Sequence, residues 1–377
     1  MRKDWEYKKL GEVANVVMGQ SPDGSNVNNE NGMEFHQGKI NFGEQFLMKS
    51  DCFTTQVTKV AEKGSILLCV RAPIGIINIT DRDICIGRGL CAIKEKTEVD
   101  NLFLYYYLLN KKLYFEKNST GSTFKAISSK VVLNTPIFLP PKPTQLAIVA
   151  ELDKLNEMTR LKQQQLKDYD QLAQSIFYEM FGDPVENEKG WEVKKLREIA
   201  LEKMSYGSGA SAVPYNQKIR YIRITDIDEL GCLKKDIVSP NICEDKYLLS
   251  DGDILFARSG ATVGKTFLFK STYGSCIYAG YLIRLRPNTQ IVIPEYVYHY
   301  TKTHYYRSFI ESNQRVVAQP NINAQQYSSL KLPLPPLPLQ QQFAARIEAI
   351  ERQKQQVSET IKDLETLLAS RMQYWFD

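Results

Sequence analysis

No proline or glycine interrupts the chain between Thr144 and Phe181, or between Leu339 and Asp377, and each stretch follows a proline-rich entry, Pro140-Pro141 and Pro335-Pro336. Proline is tolerated in the first turn of a helix and excluded from its interior, so each stretch predicts one long helix. In the second, the apolar positions Phe343, Ile347, Ile350, Val357, Ile361, Leu364, Leu368 and Trp375 follow the alternating four- and three-residue gaps of a heptad seam. The first carries the same frame at Ile148, Leu152, Leu155, Leu166, Tyr169, Ala173, Ile176 and Met180. Polar residues interrupt both seams midway: Thr159 and Lys162 in the first, and Lys354 in the second at the position matching Thr159. Such a residue either fixes the register of one helix against its partner or, for lysine, packs its stem and lifts its head to water. Gly182-Asp183-Pro184 ends the first helix with a glycine stop and a proline that cannot continue it.

The segments ahead of the two helices also match each other. Trp5-Glu6 followed by Leu10-Gly11-Glu12-Val13-Ala14 reappears as Trp191-Glu192 followed by Leu196-Arg197-Glu198-Ile199-Ala200. Gly64-Ser65-Ile66-Leu67-Leu68-Cys69-Val70-Arg71, with Gly75 beyond, is matched by Gly252-Asp253-Ile254-Leu255-Phe256-Ala257-Arg258, with Gly260 and Gly264 beyond. Short apolar runs between glycine turns predict buried strands. Ile137-Phe138-Leu139-Pro140-Pro141 with Gln145 corresponds to Leu332-Pro333-Leu334-Pro335-Pro336 with Gln340. The chain is an internal repeat.

This pattern predicts an α+β protein. Two mixed α/β globular domains, at 1–140 and 183–335, are separated by a long antiparallel two-helix coiled coil, its helices at 141–182 and 336–377, with an internal pseudo-twofold repeat. The antiparallel course follows if the second domain starts and finishes near one point. At about 1.5 Å per residue each helix spans on the order of 55 Å. Two reading heads held at a fixed separation suit two DNA half-sites about one helical turn apart, roughly 34 Å.

Composition adds constraints rather than a function. A length of 377 residues, 43% of them hydrophobic and 24% charged, fits two or more globular units. No apolar run reaches the roughly 18 residues of a membrane span, and Met1-Arg2-Lys3-Asp4-Trp5 leads straight into folded-type sequence, so neither a membrane segment nor a signal peptide is expected and the expected location is cytoplasmic. The net charge of +5 permits nucleic-acid binding without requiring it. Cys52, Cys69, Cys85, Cys91, Cys232, Cys243 and Cys276 lack zinc or redox spacing and read as reduced, mostly buried thiols. His36, His299 and His304 are too few and too scattered for a histidine-based metal or acid-base site.

The chain resembles the specificity subunits of type I restriction-modification systems over nearly its whole length. The resemblance rests on the doubled Trp-Glu and Leu-Gly-Glu-Val-Ala openings, on Met18-Gly19-Gln20-Ser21-Pro22 with Phe35-His36-Gln37-Gly38, on Gly252-Asp253-Ile254-Leu255 with its arginine and glycines, and on the two proline-glutamine helix starts. It implies two target-recognition domains that each read half of a bipartite site in double-stranded DNA, and helices that serve as spacer and docking surface for methyltransferase subunits, two of them, and for restriction subunits. It implies a non-catalytic chain that binds no cofactor or metal, with S-adenosylmethionine, ATP and Mg used by the partner subunits. Ser65 stands where the family tends to have aspartate, and Thr144 and Leu339 precede the helix glutamines where a glutamate is usual.

The candidate DNA contacts are Gln20, Gln37, Gly38, Lys39, Arg71, Arg88 and Lys125 in the first half. Arg223, Arg258, Lys265 and Arg315 are the candidates in the second, with Tyr221 and Tyr278 as stacking or packing neighbours. Taken singly, each is equally readable as a surface charge or a core tyrosine. Two other readings compete with the specificity subunit: a bipartite DNA-binding regulator without enzyme partners, and a nucleotide-dependent enzyme using Gly264-Lys265-Thr266. The segment Ser259–Thr266 has serine where a phosphate loop needs its leading glycine. Asn134-Thr135-Pro136-Ile137 lacks the second proline and the aromatic of a methyltransferase base-holding tetrad, and Asp183, Glu186, Glu188 and Lys189 read as a charged turn after a helix.

Overall fold

The computed structural model describes residues 5–121, 125–228, 231–234, 236–314 and 321–377. It divides into two compact units. Unit 1 comprises Met1–Gln163 and Thr360–Asp377, and unit 2 comprises Gln164–Glu359. The two long helices are continuous over Lys142–Phe181 and Leu337–Phe376. Each unit therefore owns part of both helices.

The units share one plan. In unit 1 the four-stranded sheet has the order Ala14–Met18, Leu90–Glu95, Ile66–Cys69, Ile77–Ile79. In unit 2 the order is Ser205–Tyr206, Leu282–Leu285, Ile254–Ala257, Thr266–Leu268. The apolar runs Ile66–Cys69 and Ile254–Ala257 are buried at every residue, as strands covered on both faces must be. A two-stranded ribbon closes each unit, Glu6–Lys9 with Pro136–Leu139 and Glu192–Lys195 with Lys331–Leu334. The units diverge in their remaining strands. Unit 1 forms a five-stranded sheet that includes a parallel pair, Met33–His36 with Ile84–Ile86. Unit 2 keeps the parallel pair, Arg220–Ile222 with Cys276–Tyr278, as a separate sheet.

The glutamine after each proline entry ties the helix to its unit. Gln145 Nε2 donates to Pro140 O at 2.9 Å and its Oε1 accepts from Asp100 N at 2.8 Å. Gln340 repeats both bonds, to Pro335 O at 2.7 Å and from Ile293 N at 2.8 Å. Both side chains are buried. Gln340→Ala strands a buried carbonyl and a buried N–H, so thermal unfolding should show a loss of about 1–3 kcal/mol. The Ser65 departure has a visible consequence as well. In unit 2 the buried Asp253 accepts from Arg286 at 2.8 Å; in unit 1 Lys94, at the matching register, donates instead to Lys63 O at 2.7 Å.

The helices pack antiparallel along the expected seam. In unit 2 Phe177 meets Phe343 with ring centroids 5.7 Å apart, and Lys354 Nζ donates to Asp170 Oδ1 at 2.8 Å. The lysine in the seam is therefore an interhelical ion pair. Burial pushes its ammonium down, and Asp170 and Glu351 more than restore it. In unit 1 Glu151 accepts from Arg371 Nη2 at 3.0 Å and from Trp375 Nε1 at 2.9 Å. Ile148, Leu152, Leu155, Ala173, Met180, Phe343, Ile347, Ile350, Val357 and Leu364 are buried, and Leu166, Tyr169, Ile176, Ile361, Leu368 and Trp375 are half-buried. Thr159 turns inward on its own helix, donating to Leu155 O at 2.9 Å. Val149, Phe177, Phe181 and Phe376 are buried beside the seam, because each helix also faces the globular part of its unit and needs a wider apolar stripe.

All seven cysteines are free. Cys69, Cys85, Cys91 and Cys276 are buried, Cys52 is half-buried, and Cys232 and Cys243 are exposed. Among the described residues no helix is long and apolar enough to cross a membrane, and no cluster of metal-ligating side chains occurs.

Candidate nucleic-acid interface

In unit 1 five strand ends open onto one loop rim. Gly19 N donates to Leu90 O at 2.9 Å, Gln20 N to Ile86 O at 3.0 Å, Gly87 N to His36 O at 2.8 Å and Val70 N to Gly89 O at 2.9 Å. Ile127 N donates to Val70 O at 3.0 Å, and Arg71 bridges Ala126. Glycine makes the crowding possible. A Cβ on Gly19 would lie 2.2 Å from Gly87 O, and one on Gly89 would lie 2.2 Å from Gln37 O. This weave brings Gln20, Gln37, Gly38, Lys39, Arg71, Arg88 and Lys125 into one neighbourhood, although they come from five stretches of sequence. All are exposed except Gly38, which is half-buried.

The four cations of the rim, Lys39, Arg71, Arg88 and Lys125, have no carboxylate within 4.0 Å among the described residues. Unpaired cations spread over adjacent loops suit phosphates, while amides beside them suit base edges. Ser21, which sequence reasoning passed over, orients one amide: its Oγ donates to Gln37 Oε1 at 2.9 Å and accepts from Arg88 N at 3.3 Å. Gln37 and Gly38 also line a cavity of about 340 Å³ with His36, Ile40 and Ser50.

A clamp behind the rim fixes the loop that carries Gln37 to Lys39. Glu34 receives Arg82 Nε at 2.6 Å and Nη2 at 2.5 Å, Ser50 N at 2.7 Å, and the buried His36 ring at 2.9 Å. Burial alone would push the Glu34 carboxyl up; the hydrogen bonds from Arg82, Ser50 and His36 overturn this and hold it at about 2. Burial pushes the His36 imidazole down, against the pull of Glu34.

Unit 2 repeats the backbone frame. Gly207 N donates to Leu282 O at 3.2 Å, Ser208 N to Tyr278 O at 2.8 Å, Ala279 N to Ile222 O at 2.9 Å, Arg258 N to Tyr281 O at 3.1 Å and Ile322 N to Arg258 O at 2.9 Å, and Ser259 bridges Asn321. Bond for bond, Ser208 occupies the position of Gln20, Arg223 that of Gln37, Gly280 that of Arg88 and Tyr281 that of Gly89. The pairing suggested by sequence between Arg71 and Arg258 is corrected: Arg71 matches Ser259 and Arg258 matches Val70. Successive side chains on a strand face opposite ways, so this one-residue offset points the two guanidinium groups to different sides.

The other candidates of the second half are more dispersed. Arg223 is bound to the buried Asp226 at 2.7 and 3.0 Å and braces its own turn. Lys265 lines a cavity of about 450 Å³ with Asp170, Gln174 and Lys302, against the long helices. Tyr221 and Tyr278 are buried; Tyr221 donates to Ser208 O at 2.9 Å, and Tyr278 shares a 2.8 Å bond with Ser205 Oγ, so both are packing residues. Arg315 lies outside the described residues. Exposed side chains at the unit 2 rim that sequence reasoning missed are Tyr206 and Tyr281. The glycine-rich segment before Lys265 closes the hairpin between Ile254–Ala257 and Thr266–Leu268, with Gly264 N donating to Ala257 O at 3.1 Å; no helix follows it to present N–H groups to a phosphate.

Fold and rim together define a duplicated scaffold in which one backbone frame carries two different sets of loop side chains. The family described as the type I restriction modification DNA specificity domain matches residues 2–168 and again 188–366, and the chain belongs to that family. It is 37% identical over 178 residues to the MjaX type I restriction enzyme specificity subunit of Methanocaldococcus jannaschii, a match covering 46% of this chain and 42% of that protein, so it spans less than half of that relative's length. With the MjaVIII specificity subunit of the same organism it shares 21% identity over 406 residues, 97% of this chain and 92% of the relative. The solved S subunit from M. genitalium has the same fold, with a TM-score of 0.57 over 99% of this chain and 96% of that one at 16% identity.

Proposed function

We propose that this chain is the specificity subunit of a type I restriction-modification complex. Each unit reads one half of a bipartite target in double-stranded DNA. The long helices and the faces beside them dock two methyltransferase subunits and the restriction subunits. Adenine methylation with S-adenosylmethionine and Mg- and ATP-dependent restriction belong to those partners, and this chain contributes recognition without catalysis.

One observation carries the reading. The two units keep the same hydrogen-bonded frame, down to Gln145 and Gln340, while the side chains on the loop rim differ at nearly every matched position. A conserved frame with exchanged loop chemistry fits two readers built for different base sequences, whereas a symmetric or catalytic role has no use for it.

Co-expression with a cognate methyltransferase subunit, followed by mapping of methylated adenines, tests the reading. The expected result is a two-part motif with a constant unspecified gap. Gln37→Ala together with Arg88→Ala should relax bases in one half of the motif only. Changes in both halves, or methylation without a bipartite motif, would refute the assignment.

A further inference from the structure

One place in unit 2 carries side chains for which unit 1 has no chemical counterpart. Arg258, Tyr206 and Asn321 stand at the backbone positions that Val70, Met18 and Ala126 hold in unit 1. The Arg258 guanidinium carbon lies 4.7 Å from the centroid of the Tyr206 ring, and Arg258 Nε donates to Asn321 Oδ1 at 3.3 Å. Tyr206 is anchored in turn, its hydroxyl accepting from Ala324 N at 3.0 Å. Among the described residues no carboxylate lies within 4.0 Å of Arg258, and no acceptor bonds either of its two Nη nitrogens. The group is thus stacked on one face, tethered at its root and open at its fork. Tyr281, whose carbonyl receives Arg258 N, projects beside it with 62% of its surface exposed.

We infer that Arg258 reads a guanine in the half-site of unit 2, donating from its two Nη groups to O6 and N7 on the major-groove edge of that base, with Tyr206 and Asn321 as positioning residues. The inference rests on the proposed DNA-reading function. Guanine is the one base whose major-groove edge offers two adjacent acceptors; adenine offers an acceptor beside a donor, and a guanidinium fork has only donors to give. A stacked and tethered guanidinium loses little further freedom on binding a planar edge, which is what a discriminating contact requires. Val70 cannot make such a contact, so the device belongs to one half-site.

The test uses the full chain in complex with its methyltransferase subunits and duplexes carrying the mapped motif, with 7-deazaguanine replacing each guanine of the second half in turn. That base keeps its pairing and loses N7. One such replacement should weaken binding roughly tenfold in the wild-type complex and leave the Arg258→Ala complex unaffected, since the contact is already gone. Arg258→Lys should show an N7 effect between those of the wild type and Arg258→Ala, because its ammonium can still reach N7 but lacks the planar, stacked fork that fixes the wild-type contact. Tyr206→Phe, which keeps the ring, should preserve the N7 effect, and Tyr206→Leu should diminish it. Unaltered discrimination at the other positions of the second half-site reports that unit 2 is folded in each variant. Equal sensitivity to N7 loss with and without Arg258, a second half-site without guanine on either strand, or uniform weakening of all sequences by Arg258→Ala, the mark of a phosphate contact, would each overturn the inference while leaving the wider function standing. A wild-type complex with no sequence preference would overturn both.

Discussion

Replacing Phe177 with alanine is expected to destabilise unit 2 by about 3–5 kcal/mol. The side chain is almost wholly buried and sits at the centre of an aromatic cluster, with ring centroids 5.0 Å from Phe181, 5.5 Å from Tyr296 and 5.7 Å from Phe343. These partners come from both long helices and from the helix Pro294–Tyr300 of the globular part, so the cavity left behind cannot close by moving any single element. Trp191 reports on the same place, since its Nε1 donates to Phe181 O at 2.9 Å. Urea unfolding followed by tryptophan fluorescence, with hydrogen exchange to localise the change, should show lost protection within residues 164–359 and little change in residues 5–121. An unchanged midpoint would show that the cluster does not hold the unit together.

Glu34→Gln should have the second large effect, and pH should reveal it. The folded Glu34 carboxyl sits at about 2, below its ordinary 4.5. A depressed carboxylate contributes stability above its unfolded value and loses it as pH falls toward the folded one, so the clamp is at full strength above about pH 4.5 and weakens progressively from there down to about pH 2. The shift corresponds to on the order of 3 kcal/mol. The lowered His36 value acts in the same direction, removing stability as pH falls below the ordinary 6.5 of imidazole. Wild-type protein should therefore loosen in acid, first through His36 and then through Glu34, with exchange rising across residues 33–50. Glu34→Gln should start less stable at pH 7, with Arg82 left only the exposed carboxylate of Asp81, and should lack the lower limb of the pH profile. An unchanged acid limb in the variant would show that the clamp contributes nothing.

Much of the scaffold was legible in the sequence because it follows from local rules. The absence of proline and glycine across two stretches gave the helices, and the four-three spacing gave the seam that packs Ile148, Leu152, Phe343 and Ile347. The repeat was visible in its glycines, in its openings and in the proline-glutamine entries. Phe177 and Phe181 escaped because the seam describes one helix against another, while each helix here also covers a globular surface. The offset between Arg71 and Arg258 escaped for a related reason. Both arginines end an apolar run, but their facing is fixed by cross-strand register with Leu90 and Leu282, which the runs alone do not reveal. Tyr206, Tyr281 and Asn321 come from segments far apart in the chain, and only the woven loops of unit 2 bring them to its rim; Ser21 meets Gln37 and Arg88 in the same way at the rim of unit 1. Tyr221 and Tyr278 show the converse: aromatic residues near arginines suggest stacking on bases, yet both are buried on the parallel strand pair and satisfy their hydroxyls within the protein.

That unit 1 takes in residues 360–377 has a consequence for how such a gene can be shuffled. The Phe376 ring fits against Phe103 and Tyr107, 5.7 and 5.6 Å away, and Arg371 and Trp375 are held by Glu151. A fragment ending with the first long helix would carry the complete unit 1 rim on an unfinished core, missing residues 360–377 of the second long helix. A coding exchange at the repeat boundary avoids that defect, because the recipient still supplies the closing helix. New pairs of loop rims can in this way be combined from old halves without a new hydrophobic interface having to evolve.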